Sequence, residues 1–354
     1  GPGCVPGCVP GCVPGCGRRL SGLRDDGHRC VAQFDRGQAG ETFERFGFIA
    51  PLCVWTSKNR LVAGDTRTLA YDELVAEHGV DPHILRPALR GLRWWNSAPY
   101  FWRDIRQCVR AHAPRLIRAH SLRYAGPACV AAKRRYGLPF VAHFHHLEAD
   151  RLMWLDRWVL RQADWVTTDS EFSVRQAAAI GVYANRIPLG AVPCWRPRPA
   201  GRLVLFLGGD KPRKNLPFLL GLWPEVIERV PGARLVIAGP GHWVPRTDAD
   251  IAALYDRARV LAFPSRLEGF GLPVLEAMAR ARPVVCSDQG ALAELGARQT
   301  CPLEPSLWVE WLVRYLTDDA RWHEDAQANF IRAQAYSWDR TARRTAEVWR
   351  WMMP

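Results

Sequence analysis

Residues 260–279 read VLAFPSRLEGFGLPVLEAMA. Val260–Phe263 is a short apolar run of strand length, Pro264 stops it, and Gly269 and Gly271 punctuate the loop that follows. Pro273 stands near the first turn of a helix, where a missing N–H is tolerated. The pattern predicts a helix over Leu272–Ala281 and a strand over Pro283–Cys286. A buried strand, a loop and a helix leading into another buried strand is the unit of a parallel sheet with both faces covered.

The same unit recurs upstream. Leu203–Leu207 reads as a buried strand ended by Gly208-Gly209, Leu216–Val230 as a helix, and Arg234–Ala238 as a strand ended by Gly239-Pro240-Gly241. Asp250–Arg257 reads as a helix with Asp248 or Asp250 as its cap. Together these form a doubly wound domain, and ligands of such domains bind beyond the C-terminal ends of the strands. The N-terminal half alternates likewise. Strands are predicted at 27–31, 115–120, 140–144 and 164–170, and helices at 69–78, 100–112, 125–136, 150–162 and from 171 to about 180. Between the halves, residues 192–201, VPCWRPRPAG, carry three prolines in ten residues, can continue neither a helix nor a strand, and mark the linker. The tail from Trp338 to Pro354 reads as one or two amphipathic helices rich in Trp and Arg. Packing against the core is the expected use of that face, with contact at a membrane surface as its rival.

Composition bounds the class. At roughly 150 residues per domain, 354 residues suggest two domains. With 48% apolar and 23% charged residues the chain is neither disordered nor collagen-like. No apolar run approaches the roughly 18–20 residues of a membrane span, and no secretory signal is visible. A cytoplasmic setting, at the inner face of the membrane if the tail touches lipid, is therefore expected. The formal charge is +13, but of 48 basic residues only Lys58, Lys133, Lys211 and Lys214 are lysines. Arginines spread along the whole chain argue against a nucleic-acid surface, so no nucleic acid is expected as partner. Of eleven cysteines, four fall in the opening GPGCVPGCVPGCVPGC, a Gly-Cys-Val-Pro repeat that forbids regular structure. This repeat reads as low-complexity sequence, with a thiol-rich metal or redox tail as the alternative. The remaining cysteines show no zinc spacing, so no metal and no cofactor is expected.

Two constellations carry chemistry. In Gly208-Gly209-Asp210-Lys211-Pro212-Arg213-Lys214-Asn215, glycines let backbone approach a ligand, and three cations precede a helix N-terminus. A diphosphate suits this turn; a solvated basic turn is the bland alternative. In the second, Glu268 lies in the loop and Glu276 just inside the helix, beside backbone N–H groups of Phe270, Gly271 and Leu272. Two carboxylates beside clustered donors suit a ligand bearing sugar hydroxyls and phosphates; a capped structural helix is the alternative.

The stretches ARLVIAGPG, DIAALYDRARVLAFPSRLEGFGLPVLEAMA and RPVVCSDQGALAEL resemble the C-terminal domain of retaining glycosyltransferase family 4, glycosyl transferases group 1. The hallmark is a pair of glutamates separated by seven residues, here Glu268 and Glu276. The resemblance extends over about 115–295. It implies an α/β fold of GT-B type: two Rossmann-like doubly wound domains facing a cleft, with a nucleotide-sugar donor bound between them. On this reading residues 1–17 are the repeat, 18–195 the acceptor-side domain, 201–335 the donor domain, and 336–354 a helix packing back toward the N-terminal domain.

By resemblance, Glu276 binds the nucleotide ribose, and Glu268 holds hydroxyls of the donor sugar. Lys214 neutralises the leaving diphosphate. Gly208, Gly209, Lys211, Arg213, Gly269, Phe270, Gly271 and Leu272 line the donor site. Arg118-Ala119-His120-Ser121 resembles the family's strand ending in histidine. Pro139–His145 resembles the strand whose final histidine approaches the donor sugar, so His145 joins Glu268 and Lys214 as catalytic and His120 joins the donor site. His143 and His146 are the alternatives to His145, and Asp169-Ser170-Glu171 resembles the family's serine-containing turn. The chain departs from the pattern in four places. Gly208-Gly209 replaces the usual Gly-Arg, so Lys211 or Arg213 stands in for that arginine. Ala281 replaces a glycine, and the segment after Gly241 is short. The first strand and the Gly-rich acceptor loop belong before Leu20, where the repeat stands. The expected activity is sugar transfer, with retention and without a metal, to a glycan or lipid-linked acceptor. The rival is a non-catalytic GT-B scaffold or nucleotide-sugar-binding subunit.

Overall fold

The structure is a computed structural model that describes residues 51–54, 83–85, 94–120, 122–148, 153–196, 198–199, 201–239, 241–242 and 248–352. The opening repeat, the strand expected at 27–31 and the helix expected at 69–78 lie outside the described residues.

Two parallel sheets organise the chain. The first contains β1 (Pro51–Val54), β2 (His83–Leu85), β3 (Leu116–Ala119), β4 (Phe140–Phe144), β5 (Trp165–Thr168) and β6 (Asn185–Arg186), in the order β2-β1-β3-β4-β5-β6. Its helices are α1 (Trp94–His112), α2 (Gly126–Tyr136), α3 (Met153–Gln162) and α4 (Glu171–Ala179). All of β3 and β4 is buried, as expected for strands covered on both faces. α1 starts six residues before the helix predicted at 100 and runs through Pro99. A proline this near the helix start removes only one ladder bond, so the element continues through it.

The second sheet contains β7 (Leu203–Leu207), β8 (Arg234–Ala238), β9 (Val260–Phe263), β10 (Val284–Ser287) and β11 (Gln299–Cys301), in the order β11-β10-β9-β7-β8. Around it lie α5 (Leu216–Arg229), α6 (Asp248–Arg257), α7 (Leu272–Ala279), α8 (Pro305–Thr317) and α9 (Asp319–Ala333). Alternation along the strands builds two cores. Leu205, Leu261, Phe263, Val284 and Cys286 face one side with Val274, Leu275 and Met278 of α7. Val204, Phe206, Val260, Ala262 and Val285 face the other, against α5 and Trp308 and Leu312 of α8.

The expected boundaries shift where backbone conformation intervenes. α7 stops at Ala279, not at Ala281, because Ala281 adopts a left-handed φ of 54°. That conformation costs a non-glycine residue roughly 1–2 kcal/mol, which explains why a glycine is usual there. α6 takes in Asp248, so the two residues proposed as caps lie inside the helix and not before it. Sequence patterning had assigned neither α8 nor α9. They are separated by Asp318 alone, whose side chain accepts a hydrogen bond from the Arg321 N–H at 2.9 Å and caps α9.

The tail is one helix, α10 (Trp338–Met352). It leaves the second lobe and returns to the first sheet, where Ala342, Ala346 and Trp349 pack against Leu116 of β3 and Val141 of β4. The Arg118 guanidinium lies 5.3 Å from the Trp349 ring centroid, a cation–π contact. Its apolar face is thus occupied by the protein itself. Among the described residues no helix is long and apolar enough to cross a membrane. Among the described residues, Cys108, Cys194, Cys286 and Cys301 are free thiols.

Replacing Trp349, which is 1% exposed, by alanine is expected to lower stability by about 3 kcal/mol in urea denaturation, the usual loss for a large buried ring. Trp351→Ala, at a ring 73% exposed, is expected to cost less than about 1 kcal/mol.

Candidate active site

The C-terminal ends of β7 and β9 deliver the cation cluster. After Gly209 the chain makes a short 3-10 turn, Pro212–Lys214, which turns Lys214 inward below β7. Gly208 permits this, since it has a φ of 152° and a Cβ there would stand 2.7 Å from Lys214 Cγ. Lys214 Nζ lies 4.3 Å from the Phe263 ring centroid and donates to Glu268 Oε1 at 2.6 Å. Arg213 Nη1 donates to the same oxygen at 2.7 Å, as does Ser265 Oγ at 2.7 Å. Glu268 and Lys214 are 6% and 7% exposed, so this is a buried, hydrogen-bonded ion cluster.

Burial alone would raise the Glu268 pKa, but Lys214 and Arg213 more than offset it and hold the carboxyl below its ordinary value. Burial pushes Lys214 down to about 8 despite its pairing with Glu268. Lys211, Arg213 and Lys214 outnumber the carboxylates Asp210 and Glu268 at the strand ends, an arrangement that attracts a diphosphate. Asp210 lies beside them, paired instead with His242 Nε2 at 2.6 Å.

Glu276 goes elsewhere. On α7 it accepts a hydrogen bond from the Tyr255 hydroxyl at 2.8 Å, and the same hydroxyl lies 3.1 Å from the Pro273 carbonyl. The two glutamates thus serve separate parts of the crevice. Gly271 caps α7 with φ 98°, and Leu272 opens the helix. Phe270 is buried and meets the Tyr336 ring edge-on at 6.0 Å, so its side chain belongs to the core.

The first lobe meets this loop directly. A Cβ at Gly269 would stand 2.1 Å from the His145 carbonyl oxygen, so only glycine permits the approach. Ser173 Oγ donates to that same carbonyl at 2.5 Å. Glu294 of the second lobe accepts hydrogen bonds from the N–H groups of Glu171 at 2.8 Å and Phe172 at 2.6 Å, at the N-terminus of α4.

His145 is the half-exposed member of a row of rings at the ends of β3 and β4. Its side chain is 52% exposed, whereas that of His143 is 4% exposed. Ring centroids are 5.1 Å apart for His120–His143 and 5.0 Å for His143–His145. Burial, then Arg118, pushes His120 well below its ordinary value. His146 lies 3.6 Å from Glu148 and is also lowered, by burial and then by Arg213.

The structure therefore brings together Glu268, Lys214, Arg213, Gly208 and Gly209, and sets Gly269 against His145. His120 lies behind His143, and Lys211 adds charge from the rim. Sequence reading had not singled out Ser265, Tyr255 or Asp169 as side chains of the site. Ser265 stood in the quoted loop three residues before Glu268, Asp169 in the quoted serine-containing turn and Tyr255 in a quoted stretch, but nothing local gave these side chains a role. His143, His145 and Asp169 offer ligand-type atoms within 4.8 Å of one another. His145 Nδ1 and Asp169 are already in direct hydrogen-bond contact, and a zinc ion about 2 Å from each would have to separate them.

Comparisons with known proteins give the family and the fold. Residues 201–318 match the family described as Glycosyl transferases group 1, and residues 20–190 match a Glycosyl transferase 4-like domain. The chain is 27% identical over 173 residues to a D-inositol 3-phosphate glycosyltransferase of Segniliparus rotundus, covering 41% of this chain and 38% of that protein. It is 30% identical over 178 residues to an O-antigen chain mannosyltransferase B of Escherichia coli, covering 42% and 45%. It thus spans less than half the length of these two relatives. Among solved structures, a sucrose-phosphate synthase from Thermosynechococcus elongatus shares the fold with TM-score 0.72 and 17% identity, over 86% of this chain and 99% of that one. The chain belongs to the group 1 glycosyltransferases of GT-B fold.

Glu268→Gln leaves Lys214 and Arg213 facing each other without a counter-charge. It is expected to lower stability in urea by about 3 kcal/mol at pH 7, while leaving a folded protein. Because Lys214 sits at about 8 in the folded state against an ordinary 10.5, its burial penalty is fully present below pH 8. That penalty is relieved as pH rises toward 10.5, where the unfolded chain binds the extra proton. Lys214→Met is expected to remove this rise from the pH–stability profile.

Proposed function

We propose that the chain is a retaining glycosyltransferase that moves a sugar from a nucleoside-diphosphate sugar to a glycan or lipid-linked acceptor. The observation that carries this reading is the convergence of Lys214, Arg213 and Glu268 at the strand ends, next in the chain to Gly269, which meets the His145 carbonyl of the first lobe.

The donor diphosphate lies on the Gly208–Lys214 turn and at the N-terminus of α7, with the ribose reaching Glu276. As the anomeric C–O bond breaks, its electron pair passes to the diphosphate, and Lys214 and Arg213 stabilise the charge that develops there. Such preorganised electrostatics is usually the largest catalytic contribution. These cations do the work of a metal at the leaving group. Glu268 keeps both of them charged and in place, and an oxygen of the same carboxylate reaches donor-sugar hydroxyls. His145 meets the sugar from the first lobe. The acceptor hydroxyl attacks on the face the diphosphate leaves, and its proton passes to the departing phosphate oxygen, which gives net retention.

A thermal-shift panel of UDP-, GDP- and ADP-sugars is expected to show stabilisation by one nucleotide class, lost in Glu276→Gln. With the donor so identified, Lys214→Met is expected to lower turnover about 10²–10³-fold. NMR of the product's anomeric centre is expected to show the donor's configuration. An inverted product, or full activity of the Lys214 variant, overturns the assignment.

A further inference from the structure

Alternation along a strand places His143 and His145 on one face at the end of β4, and Thr167 and Asp169 on one face at the end of β5. The parallel register sets His143 beside Thr167, so the next pair on that face is His145 and Asp169. The side chains follow the register. His143 Nδ1 lies 3.0 Å from Thr167 Oγ1. Asp169 spans both rings, with Oδ1 3.3 Å from His143 Nε2 and Oδ2 in a short hydrogen bond with His145 Nδ1. Its side chain has no exposure, and the next residue, Ser170, is fixed as the N-cap of α4.

A carboxylate this deeply buried persists as an anion only with compensation. The charged and titratable groups around the pair are Arg118 of β3 and His120 just beyond it, His143 from β4, and His146 and Glu148 from the loop beyond. Arg213 and Glu268 face His146 from the second lobe. Burial holds His143 down at about 4, so it is neutral near pH 7 even beside Asp169. For His145 burial also acts downward, with Arg118 assisting, but the Asp169 charge and hydrogen bond outweigh both and raise it. The carboxylate therefore acts upward on both rings but prevails over burial only at the half-exposed one.

We propose that Asp169 is a positioning residue that sets the tautomer and charge of His145. The carboxylate accepts the Nδ1–H, fixes the plane of the ring, and leaves Nε2 as the nitrogen presented to a hydroxyl of the donor sugar. The donor-sugar part rests on the role proposed above for His145; the coupling between the two side chains does not.

The test is long-range proton–nitrogen NMR of the full chain labelled with nitrogen-15, with His145 assigned from the spectrum of His145→Gln. The neutral wild-type ring is expected to carry its proton on Nδ1 and to titrate above the ordinary histidine value. In Asp169→Asn the amide oxygen still accepts from Nδ1 but the charge is gone. The titration is expected to fall by about one pH unit or more, a tenfold or greater loss of proton affinity. A proton on Nε2 in the wild type, or an unchanged titration in Asp169→Asn, overturns the proposal. Should the variant fail to fold, the wild-type tautomer decides. With an active donor, the pH limb of turnover is expected to move with the His145 titration, whereas a structural defect would lower the rate at every pH alike. A responsive His145 titration together with wild-type turnover in His145→Ala supports the coupling and overturns the catalytic role of His145.

Discussion

Lys214 can remain an ammonium inside the protein because Glu268 is there to receive it. Removing either charge from water is costly, and each is tolerable only because the other lies within hydrogen-bond distance. Arg213 and Ser265 converge on the same carboxylate oxygen and fix it in one place, while Phe263 offers its ring face to the ammonium. The loop ends of β7 and β9 are thereby tied to each other, and the crevice above them has a fixed, positively charged floor. The arrangement also requires Gly208, since any side chain there would displace the aliphatic part of Lys214.

The second lobe supplies this charge, and the first supplies a row of histidines whose charge states differ because their surroundings differ. The lobes come together through backbone as much as through side chains. Gly269 touches the His145 carbonyl, and Glu294 receives the opening N–H groups of α4. α10 adds a third tie, returning from the second lobe to bury Trp349 on the first sheet. A site assembled this way combines groups from distant parts of the chain without any one segment carrying the whole of it.

Much of the fold was legible. Leu203–Leu207, Arg234–Ala238 and Val260–Phe263 are strands with the boundaries their apolar runs suggest, because glycine, proline and charge bracket each run closely. Elements without such punctuation were not legible. α8 and α9 abut across Asp318 with no glycine between them. β2 and β6, of three and two residues, are defined by pairing with neighbours and not by their own pattern. Of the site, the cations of the Gly208–Lys214 turn and the two glutamates stood out by position, at the ends of buried strands. Asp169 did not, because its meaning comes from the β4–β5 register.

The sequence by itself determined the local units: where strands stop, where loops begin, and which ionisable residues those loops carry. Propensity, turn chemistry and side-chain alternation act over a few residues and can be read there. The tertiary structure decided which of those residues meet and in what charge state. Lys214 and Glu268 are 54 positions apart, and His145 and Asp169 are 24. Glu268 and Glu276, close in sequence, face different partners. Pairing and desolvation depend on neighbours through space, so the lowered pKa of Lys214 and the raised one of His145 exist only once the strands are side by side.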